Sequence, residues 1–419
     1  SLVNTIFLAV RSRPGLGIFL FLLLEQYAAA ETLEQSAAVQ TVEWLRQLNP
    51  ASSLSVSADK FGSVYTFGRG GGGVSELVLY RIDATGNVVW SRNYGEVGTD
   101  WSHGISADDF GHVYISGYHE SGPRGNVFTA KYDQNGNLLW NRKLGTNTGD
   151  LTGGVAADTL GNVFVAGTTR ESIGGPFLGG AFDGFVSKYD DSGNLIWTRQ
   201  IGSEYGDECF GLAADGLGNV FVTGYTGGNI GGAQIGFLDA FLSKFDSAGN
   251  LIWSQQFGTI DVDGGKSVAV DPFGNIYVAG MTGGDLQGNN NGLNDVFLTK
   301  FGPDGTLIWS RQQGTVKSDQ TDTVSTDEFG NIFVAGYVND SGFFDAYVNK
   351  FNSSGNSVWT YPLGRSITGV SADQSGQLYV VGSDQNGAFI AKITEIPEPS
   401  TLLITGFFVV LLVSLRRRV

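Results

Sequence analysis

The ten residues DPFGNIYVAG, at positions 271–280, contain the unit from which the whole chain is built. The β-branched and aromatic stretch Asn275–Val278 suits a strand that is buried on both faces. Asp271 and Gly274 supply a tight reversal before it, because Asp hydrogen-bonds to nearby backbone and Gly accepts a positive φ. Ser267–Val270 forms a second short strand ahead of the turn. The unit is therefore predicted to be a β-hairpin.

The same Asp-x-x-Gly turn occurs seven times, at intervals of 46 to 57 residues. Its aspartates and glycines are Asp59 and Gly62, Asp108 and Gly111, Asp158 and Gly161, Asp215 and Gly218, Asp271 and Gly274, Asp327 and Gly330, and Asp373 and Gly376. Repeats of about 50 residues without a helical pattern indicate a β-propeller or a related array. We predict an all-β fold, a seven-bladed propeller of four-stranded antiparallel blades.

A tryptophan strand predicts how the ring closes. Six repeats end in a strand related to Gly-Asn-Leu-Ile-Trp-x-Arg-Gln, which contains Trp90, Trp140, Trp197, Trp253, Trp309 and Trp359. The seventh repeat stops at Phe389–Ile393 without such a strand, whereas residues 41–48, around Trp44, match the missing one. An N-terminal strand that completes the last blade removes the open edges that a ring of sheets would otherwise leave.

A cation recurs late in the third strand of every repeat. The seven cations are Arg81, Lys131, Lys188, Lys244, Lys300, Lys350 and Lys392. A cation at the same place in every repeat is more simply a structural partner for carboxylates or carbonyls than part of one site. We therefore expect these side chains to have a structural role.

Composition limits the classes of function. The chain has 419 residues and a net charge of −16, which argues against a DNA or RNA partner because the field repels the phosphate backbone. With 63 glycines, 12% aromatic and 16% charged residues, it fits many short strands joined by tight turns. The one cysteine, Cys209, excludes an intramolecular disulfide and is expected to be a buried structural thiol.

Both ends of the chain carry apolar segments, which we expect to be helical. Residues 1–30 are predicted to be a signal peptide, since two arginines precede the apolar run 15–24 and three alanines follow at 28–30. A retained membrane anchor is the alternative. The propeller then occupies residues 31–394, followed by a linker at 395–400 and a hydrophobic segment with a basic tail at 401–419. The arginines of that tail would stay on the cytoplasmic side of a membrane.

The end of the chain resembles the PEP-CTERM sorting signal of bacterial surface proteins. Pro397, Glu398 and Pro399 precede the apolar segment, and Arg416, Arg417 and Arg418 follow it. The resemblance implies export, at least transient membrane anchoring through the C-terminal segment, and an exosortase-type sorting enzyme as a partner. It also implies a bacterium that makes exopolysaccharide or biofilm.

The repeats resemble the bacterial β-propeller family called SBBP. The likeness rests on Val268–Gly280 and Asp239–Lys244 and extends over nearly all of residues 40–394. That family has no assigned chemistry, so the resemblance implies a fold and leaves the function open.

One set of carboxylates is a candidate metal site. An aspartate recurs five residues after a glycine between the fourth strand and the next first strand, at Asp100, Asp150, Asp207, Asp263 and Asp319. A ring of such oxygens at one mouth of the channel would suit Ca²⁺. The alternative is that each aspartate caps its own turn, which is what repetition in every blade favours.

His103, His112 and His119 lack zinc-ligand spacing and are interpreted as scattered polar positions.

The function is expected to be binding without catalysis. Blades three to five carry Gly- and Asn-rich insertions at Thr168–Phe182, Tyr225–Leu238 and Met281–Asn294, which should form a ridge on one face. This ridge is the candidate contact for a polysaccharide or a surface protein, on an exported or cell-surface scaffold.

The alternative function is that of an enzyme: a secreted polysaccharide hydrolase or lyase, or a quinoprotein-like dehydrogenase. Asp83–Trp90 resembles the tryptophan-docking repeat of such dehydrogenases, but seven blades and one cysteine depart from their pattern. We predict no cofactor other than, at most, Ca²⁺.

Overall fold

The computed structural model describes residues 39–48, 51–70, 77–95, 100–119, 126–146, 148–340 and 343–396. All regular structure within these ranges is β-strand, and Val42–Thr394 forms one compact unit. No helix in the described part of the chain is long and apolar enough to cross a membrane. The terminal segments that were predicted to be a signal peptide and a sorting signal lie outside the described residues.

The strands form seven four-stranded antiparallel sheets, as the sequence predicts. Blade one contains β2 (Ala51–Ala58), β3 (Val64–Gly70), β4 (Leu77–Ile82) and β5 (Val88–Tyr94); blade two β6 (Asp100–Ala107), β7 (Val113–His119), β8 (Asn126–Tyr132) and β9 (Leu138–Leu144); blade three β10 (Leu151–Ala157), β11 (Val163–Thr169), β12 (Asp183–Tyr189) and β13 (Leu195–Ile201). Blade four contains β14 (Asp207–Ala214), β15 (Val220–Thr226), β16 (Asp239–Phe245) and β17 (Leu251–Phe257); blade five β18 (Asp263–Val270), β19 (Ile276–Thr282), β20 (Asp295–Phe301) and β21 (Leu307–Gln313); blade six β22 (Ser318–Thr326), β23 (Ile332–Asp340), β24 (Phe343–Phe351) and β25 (Ser357–Pro362). Blade seven contains β26 (Ser366–Ala372), β27 (Leu378–Asp384), β28 (Gly387–Ile396) and the N-terminal β1 (Val39–Gln47).

The ring is closed by the N-terminal strand, which confirms the prediction made from Trp44. β1 lies beside β28, where the Leu48 N–H donates to the Ala388 carbonyl at 2.8 Å. Lys392 Nζ lies 2.9 Å from Glu43 Oε2 across the same pair of strands. The first strands of consecutive blades contact one another in order, and the first strand of blade seven contacts that of blade one.

The core is divided among the seams between blades. Buried apolar side chains of the described residues form seven clusters, each made by two neighbouring blades. The second and third strands are buried on both faces, so they read as apolar runs without alternation. The outer strand, in contrast, alternates between exposed and covered positions, as in Leu138–Leu144.

The Asp-x-x-Gly turns join the first and second strands. All seven glycines have φ between 78° and 87°, as the sequence predicts. Asp271 shows why the aspartate recurs: its Oδ1 accepts the N–H groups of Phe273 and Asn275, both at 2.9 Å. Its Oδ2 accepts the Asn275 amide at 2.7 Å and the Tyr277 hydroxyl at 2.9 Å. One carboxylate thus fixes both the turn and the strand that follows.

Neighbouring blades are joined through the tryptophan strand. The Trp140 indole N–H donates to the Asp191 carbonyl at 2.9 Å, and Arg142 Nε donates to the Gly193 carbonyl at 2.6 Å. Both acceptors belong to the turn between the third and fourth strands of the next blade. Trp44 makes the corresponding bond to the Ala84 carbonyl at 3.1 Å.

The recurring cations serve the same seams, which agrees with their structural interpretation. Five contact the third-to-fourth-strand turn of the next blade: Arg81 at the Gln134 carbonyl (2.7 Å), Lys131 at Asp191, Lys188 at the Ser247 carbonyl (3.1 Å), Lys244 at the Pro303 carbonyl (3.3 Å) and Lys300 at the Ser353 carbonyl (3.1 Å). Lys350 lies over the Phe333 ring, and Lys392 pairs with Glu43.

Strand direction divides the connections between two faces. We call the side that carries the first-to-second and third-to-fourth turns the turn face. The opposite side, which carries the second-to-third loops and the connections into the next blade, is the loop face. The insertions of blades three to five therefore lie together on the loop face.

Candidate functional site

The three insertions occupy residues 170–182, 227–238 and 283–294. Each is slightly shorter than predicted, because the second strands extend to Thr169, Thr226 and Thr282. None of the three contains a strand of its own before the third strand begins. Their turns and bends fit a sequence rich in Gly and Asn.

Each insertion packs against the connection that enters the next blade. The aspartate at or near the start of the next inner strand donates its N–H to the last residue of the insertion: Asp207 to Phe182 (2.9 Å), Asp263 to Leu238 (2.8 Å) and Asp319 to Asn294 (2.8 Å). Short parallel bridges join Leu238 to Val262 and Asn294 to Ser318. The insertion and the following connection therefore form one continuous surface.

That surface is lined by exposed apolar side chains, which we call the apolar ridge. It consists of Leu178, Tyr205, Ile235, Phe237, Ile260, Leu293 and Val316, and each of these residues is 43–81% exposed. Along the sequence these residues alternate between the insertions and the connections that follow them. Each insertion therefore forms an apolar patch together with the connection that it contacts. Exposed apolar groups that are contiguous mark interaction sites more often than single ones do.

The turn face also exposes apolar residues, but these belong to the repeat itself. They follow the turn aspartate at the same position in six blades: Phe61, Phe110, Leu160, Leu217, Phe273 and Phe329. The Phe273 ring lies 3.3 Å from the position that a Cβ on Gly330 would occupy, so it covers the next turn. Their recurrence is explained by packing between blades, whereas four of the seven residues of the apolar ridge lie on insertions found in blades three to five.

A buried carboxylate lies beneath each insertion, at the first residue of the third strand. Asp183 Oδ2 accepts the Leu178 N–H at 2.6 Å and the Gln200 amide at 2.7 Å. Burial raises the pKa of Asp183. Asp239 and Asp295 occupy the same position in blades four and five and are likewise fully buried. Of these three residues, Asp239 lies within the stretch that resembles SBBP repeats, and none of them was predicted to be a site residue.

The five aspartates predicted as a metal ring lie at the connections into blades two to six. Four of them accept hydrogen bonds from the residue four positions earlier, through its N–H and its hydroxyl: Asp150 from Thr146, Asp207 from Ser203, Asp263 from Thr259 and Asp319 from Thr315. These contacts fit the turn-capping alternative. The side chain of Asp100 lies outside the described set.

Burial changes the proton affinity of three of these carboxylates. Burial raises the pKa of Asp207, Asp263 and Asp319, and the nearby carboxylates Asp183, Asp239 and Asp295 add to the effect. All four described side chains of the set are 0–2% exposed, so they do not open onto the channel. Their assignment to Ca²⁺ as a ring stays a prediction.

The raised pKa values give a testable dependence of stability on pH in the presence of a chelator. Because the folded state holds protons that the unfolded state has already released, the free energy of unfolding should fall as pH rises above the usual carboxyl range, about pH 4, through the raised values. Asp183→Asn should weaken this fall, measured by chemical unfolding at several pH values.

The control for this pH dependence is Asp304→Asn. Hydrogen bonds from Thr306 lower the pKa of Asp304, so its contribution has the opposite sign and acts at lower pH. A fall in stability that is as steep in Asp183→Asn as in the unmodified protein would contradict the assignment.

The channel holds a charged group that the sequence did not reveal. Lys266 Nζ lies 3.8 Å from the centre of the Phe210 ring. Burial lowers the pKa of Lys266, while the charges of Asp322 and Glu208 oppose that shift. These residues come from three neighbouring inner strands, so only the ring brings them together. The one clue in the sequence was that Lys266 lies three residues after Asp263, on the inner strand of blade five.

The remaining candidates are separated in space or buried. His112 lies at a turn, with Nδ1 2.9 Å from Asp108 Oδ2, whereas His103 and His119 lie on β6 and at the far end of β7. Cys209 is a buried free cysteine, as predicted, and burial raises the pKa of its thiol. Within the described ranges, no three His, Cys, Asp or Glu side chains come together as a metal site.

Comparison with known proteins supports the architecture. Three segments, residues 196–232, 252–287 and 308–344, match the model of the SBBP beta-propeller repeat. The chain is similar to the WD40 beta propeller domain of Doa1, with a TM-score of 0.54 and 12% identity over 86% of this chain and 98% of that one. It is also similar to Chaetomium thermophilum Raptor, with a TM-score of 0.53 and 12% identity, over 86% of this chain and 29% of that one. At these identities the likeness shows the fold alone.

Sequence relatives share only part of their length with this chain. A regulatory protein, FlaEY, of Caulobacter vibrioides is 28% identical over 186 residues, which cover 38% of this chain and 20% of that protein. A WD repeat-containing protein of Acanthamoeba polyphaga mimivirus is 27% identical over 164 residues, 32% of this chain and 12% of that protein. The matched part is thus a small share of both relatives. The three matched segments carry SBBP beta-propeller repeats, in a chain that folds as a seven-bladed propeller.

Proposed function

We propose that the protein is a binding or scaffold module that holds its ligand on the loop face of blades three to five. The observation that supports this proposal is the apolar ridge. Four of its side chains, Leu178, Ile235, Phe237 and Leu293, lie on insertions that the other blades lack, so packing between blades does not account for them. Each insertion is held against the next connection by backbone hydrogen bonds, which provides a pre-ordered surface.

A polysaccharide or a surface protein fits this surface best. Tyr205 and Phe237 offer exposed rings for stacking on sugars or on another protein, and the Gly- and Asn-rich loops offer backbone and amide groups for hydrogen bonds. The acidic chain is expected to disfavour nucleic acid. We expect binding without turnover, which an activity assay on the bound polysaccharide would check.

The proposed location is the bacterial cell surface or its matrix. Export, anchoring through residues 401–419 and handling by an exosortase-type enzyme are proposed from the sequence features at Pro397–Pro399 and Arg416–Arg418. Expression of the full chain in a host with and without an exosortase, followed by fractionation, tests this part separately. Equal surface display in both hosts would contradict it.

The binding proposal is tested by removing the centre of the apolar ridge. The triple variant Phe237→Ala, Ile260→Ala and Leu293→Ala should lower affinity for the captured ligand at least about tenfold, because two or more interface anchors typically contribute over 1 kcal/mol each. The ligand would first be identified on an array of bacterial exopolysaccharides and by pull-down of surface proteins.

The matched control is Leu217→Ala, which removes an apolar side chain of the turn face that is 78% exposed. Circular dichroism should show both variants folded. Loss of affinity in Leu217→Ala with none in the triple variant would move the site to the turn face and contradict the proposal.

A further inference from the structure

Two carboxylates face each other beneath each insertion. A Cβ placed on Gly202 would lie 2.7 Å from Asp183 Oδ1 and 3.2 Å from Asp207 Oδ2, so both oxygens converge on one small volume. The same holds at Gly258, where the distances are 2.8 Å to Asp263 Oδ2 and 3.1 Å to Asp239 Oδ1. All four residues are 0% exposed.

The third pair lies at the equivalent seam, where the atoms nearest to a Cβ on Gly314 all belong to Asp295. A Cβ on Gly314 would lie 2.0 Å from Asp295 Oδ1, and Asp295 is close enough to Asp319 for its charge to add to the raised pKa of that carboxyl, which burial dominates. The three pairs are therefore equivalent in position: one carboxylate begins the third strand of a blade and the other caps the connection into the next blade.

In the first and third pairs, one oxygen has no hydrogen-bond partner among the described residues: Asp183 Oδ1 and Asp295 Oδ1 are buried, and they lie next to the Cβ positions of Gly202 and Gly314. In the middle pair, the Thr282 hydroxyl donates a hydrogen bond to the Asp263 carboxylate. A buried carboxylate oxygen without a donor is costly, and two carboxylates in one pocket add repulsion. The facing carboxylates Asp207 and Asp319 accept N–H and hydroxyl groups through Oδ2, so a positive charge or a proton would satisfy the unpartnered oxygens beside them.

The chain contains its own comparison at the preceding seam. Between blades two and three, the equivalent of Asp183 is Asn126, which faces Asp150 across Gly145. There, a Cβ on Gly145 would lie 2.3 Å from Asn126 Oδ1 and 2.7 Å from Asp150 Oδ2. Blade two lacks the long insertion. In the described seams, a buried pair of aspartates thus accompanies the insertion, and an amide replaces one carboxylate where the insertion is short.

We propose that the pairs Asp183–Asp207, Asp239–Asp263 and Asp295–Asp319 are three equivalent sites for a divalent cation, best fitted by Ca²⁺. Ca²⁺ accepts irregular sets of oxygen ligands, and two carboxylates match its charge. The hydroxyls of Ser203, Thr259 and Thr315 lie beside the same carboxylates and add oxygen to each site. The cation would tie the base of each insertion to the next blade. The proposal stands on these contacts whether or not the loop face binds a ligand.

Calcium binding to the full chain tests the proposal. After removal of metal with EDTA, calorimetric titration with CaCl₂ should give a stoichiometry of about three, with dissociation constants of about 0.1–1 mM, the weak range expected for few charged ligands. Ca²⁺ should also raise the thermal unfolding midpoint, and Mg²⁺ should do so less, because it demands a stricter octahedral geometry.

Asparagine substitutions at the first carboxylate provide the variants. Asp183→Asn should reduce the stoichiometry from three to two, and the triple variant Asp183→Asn, Asp239→Asn and Asp295→Asn should abolish the calcium response. Each substitution copies the natural Asn126–Asp150 arrangement, so folding is expected to persist. The single variant keeps two intact sites and remains informative if the triple variant fails to fold.

The matched control is Asp109→Asn, which alters a surface aspartate paired with Lys60 at 3.9 Å. It should leave the stoichiometry at three. No binding by the unmodified chain, or unchanged binding by Asp183→Asn, would overturn the proposal. So would stabilisation by acid in the absence of any stabilisation by Ca²⁺, since that result would mean that each pair holds a shared proton and no metal.

Discussion

Replacing Trp44 by alanine is expected to lower the free energy of unfolding by about 2–4 kcal/mol, somewhat less than for a fully buried tryptophan because its ring is half-buried. The Trp44 indole donates to Ala84 in blade one, its ring packs on Gly86, and it lies 6.1 Å from the Tyr379 ring of blade seven. One side chain therefore joins the closing strand to both blades at the seam where the ring ends meet.

The control is Leu45→Ala on the same strand. Leu45 is 37% exposed, so its truncation should cost less than about 1 kcal/mol. Denaturant unfolding followed by tryptophan fluorescence and circular dichroism gives both values. A chain that lacks residues 39–48 should in addition associate, because β28 then presents an unpaired edge. Equal losses in the two point variants would contradict the role of Trp44 in closure.

Gly193→Ala is expected to cost about 2–5 kcal/mol, from strain in the left-handed region and from overpacking. Gly193 has φ of 76°, and a Cβ there would lie 2.7 Å from Cδ2 of Trp140 in the preceding blade. The Trp140 ring cannot move away easily, because Trp140 is 8% exposed and its indole donates a hydrogen bond to the same turn that contains Gly193.

Gly154→Ala is the matched control in the same blade. Its nearest neighbour would be Leu212 Cβ at 3.7 Å, which is ordinary van der Waals contact. We expect a change within about 1 kcal/mol, since alanine is usually favoured over glycine inside a strand. Thermal and denaturant unfolding of both variants checks the difference. A similar small change in Gly193→Ala would show that the tryptophan seam tolerates displacement.

The fold was predictable because the repeat carries its own turn chemistry. Asp271 and Gly274 form the turn and set the start of the strand that follows it. Because this turn occurs seven times, the sequence also predicts the number of blades. The closing strand was predictable from Trp44, because the last repeat lacks a tryptophan strand and the N-terminal segment contains one. These features are local in sequence, so a pattern reveals them.

The candidate site was predictable only in part. The insertions were visible as extra residues, but their packing onto the next connection depends on hydrogen bonds between blades, such as Asp207 to Phe182. The pairing of Asp183 with Asp207 joins two residues of different blades. The pairs Asp239–Asp263 and Asp295–Asp319 have the same separation in sequence, but a separation alone does not show that two side chains meet across a seam. The group of Lys266, Glu208 and Asp322 likewise exists only after ring closure.

The direction of β28 has a consequence for how the molecule is presented. Gly387 begins this strand beside the loop face, and the strand then runs to the turn face, antiparallel to β1. The polypeptide therefore enters the compact unit at Val42 and leaves it at Thr394 on the same side, opposite the apolar ridge. A tether attached at either end would therefore join the propeller at its turn face. The apolar ridge would then face away from the point of attachment, so a large polymer could reach it freely.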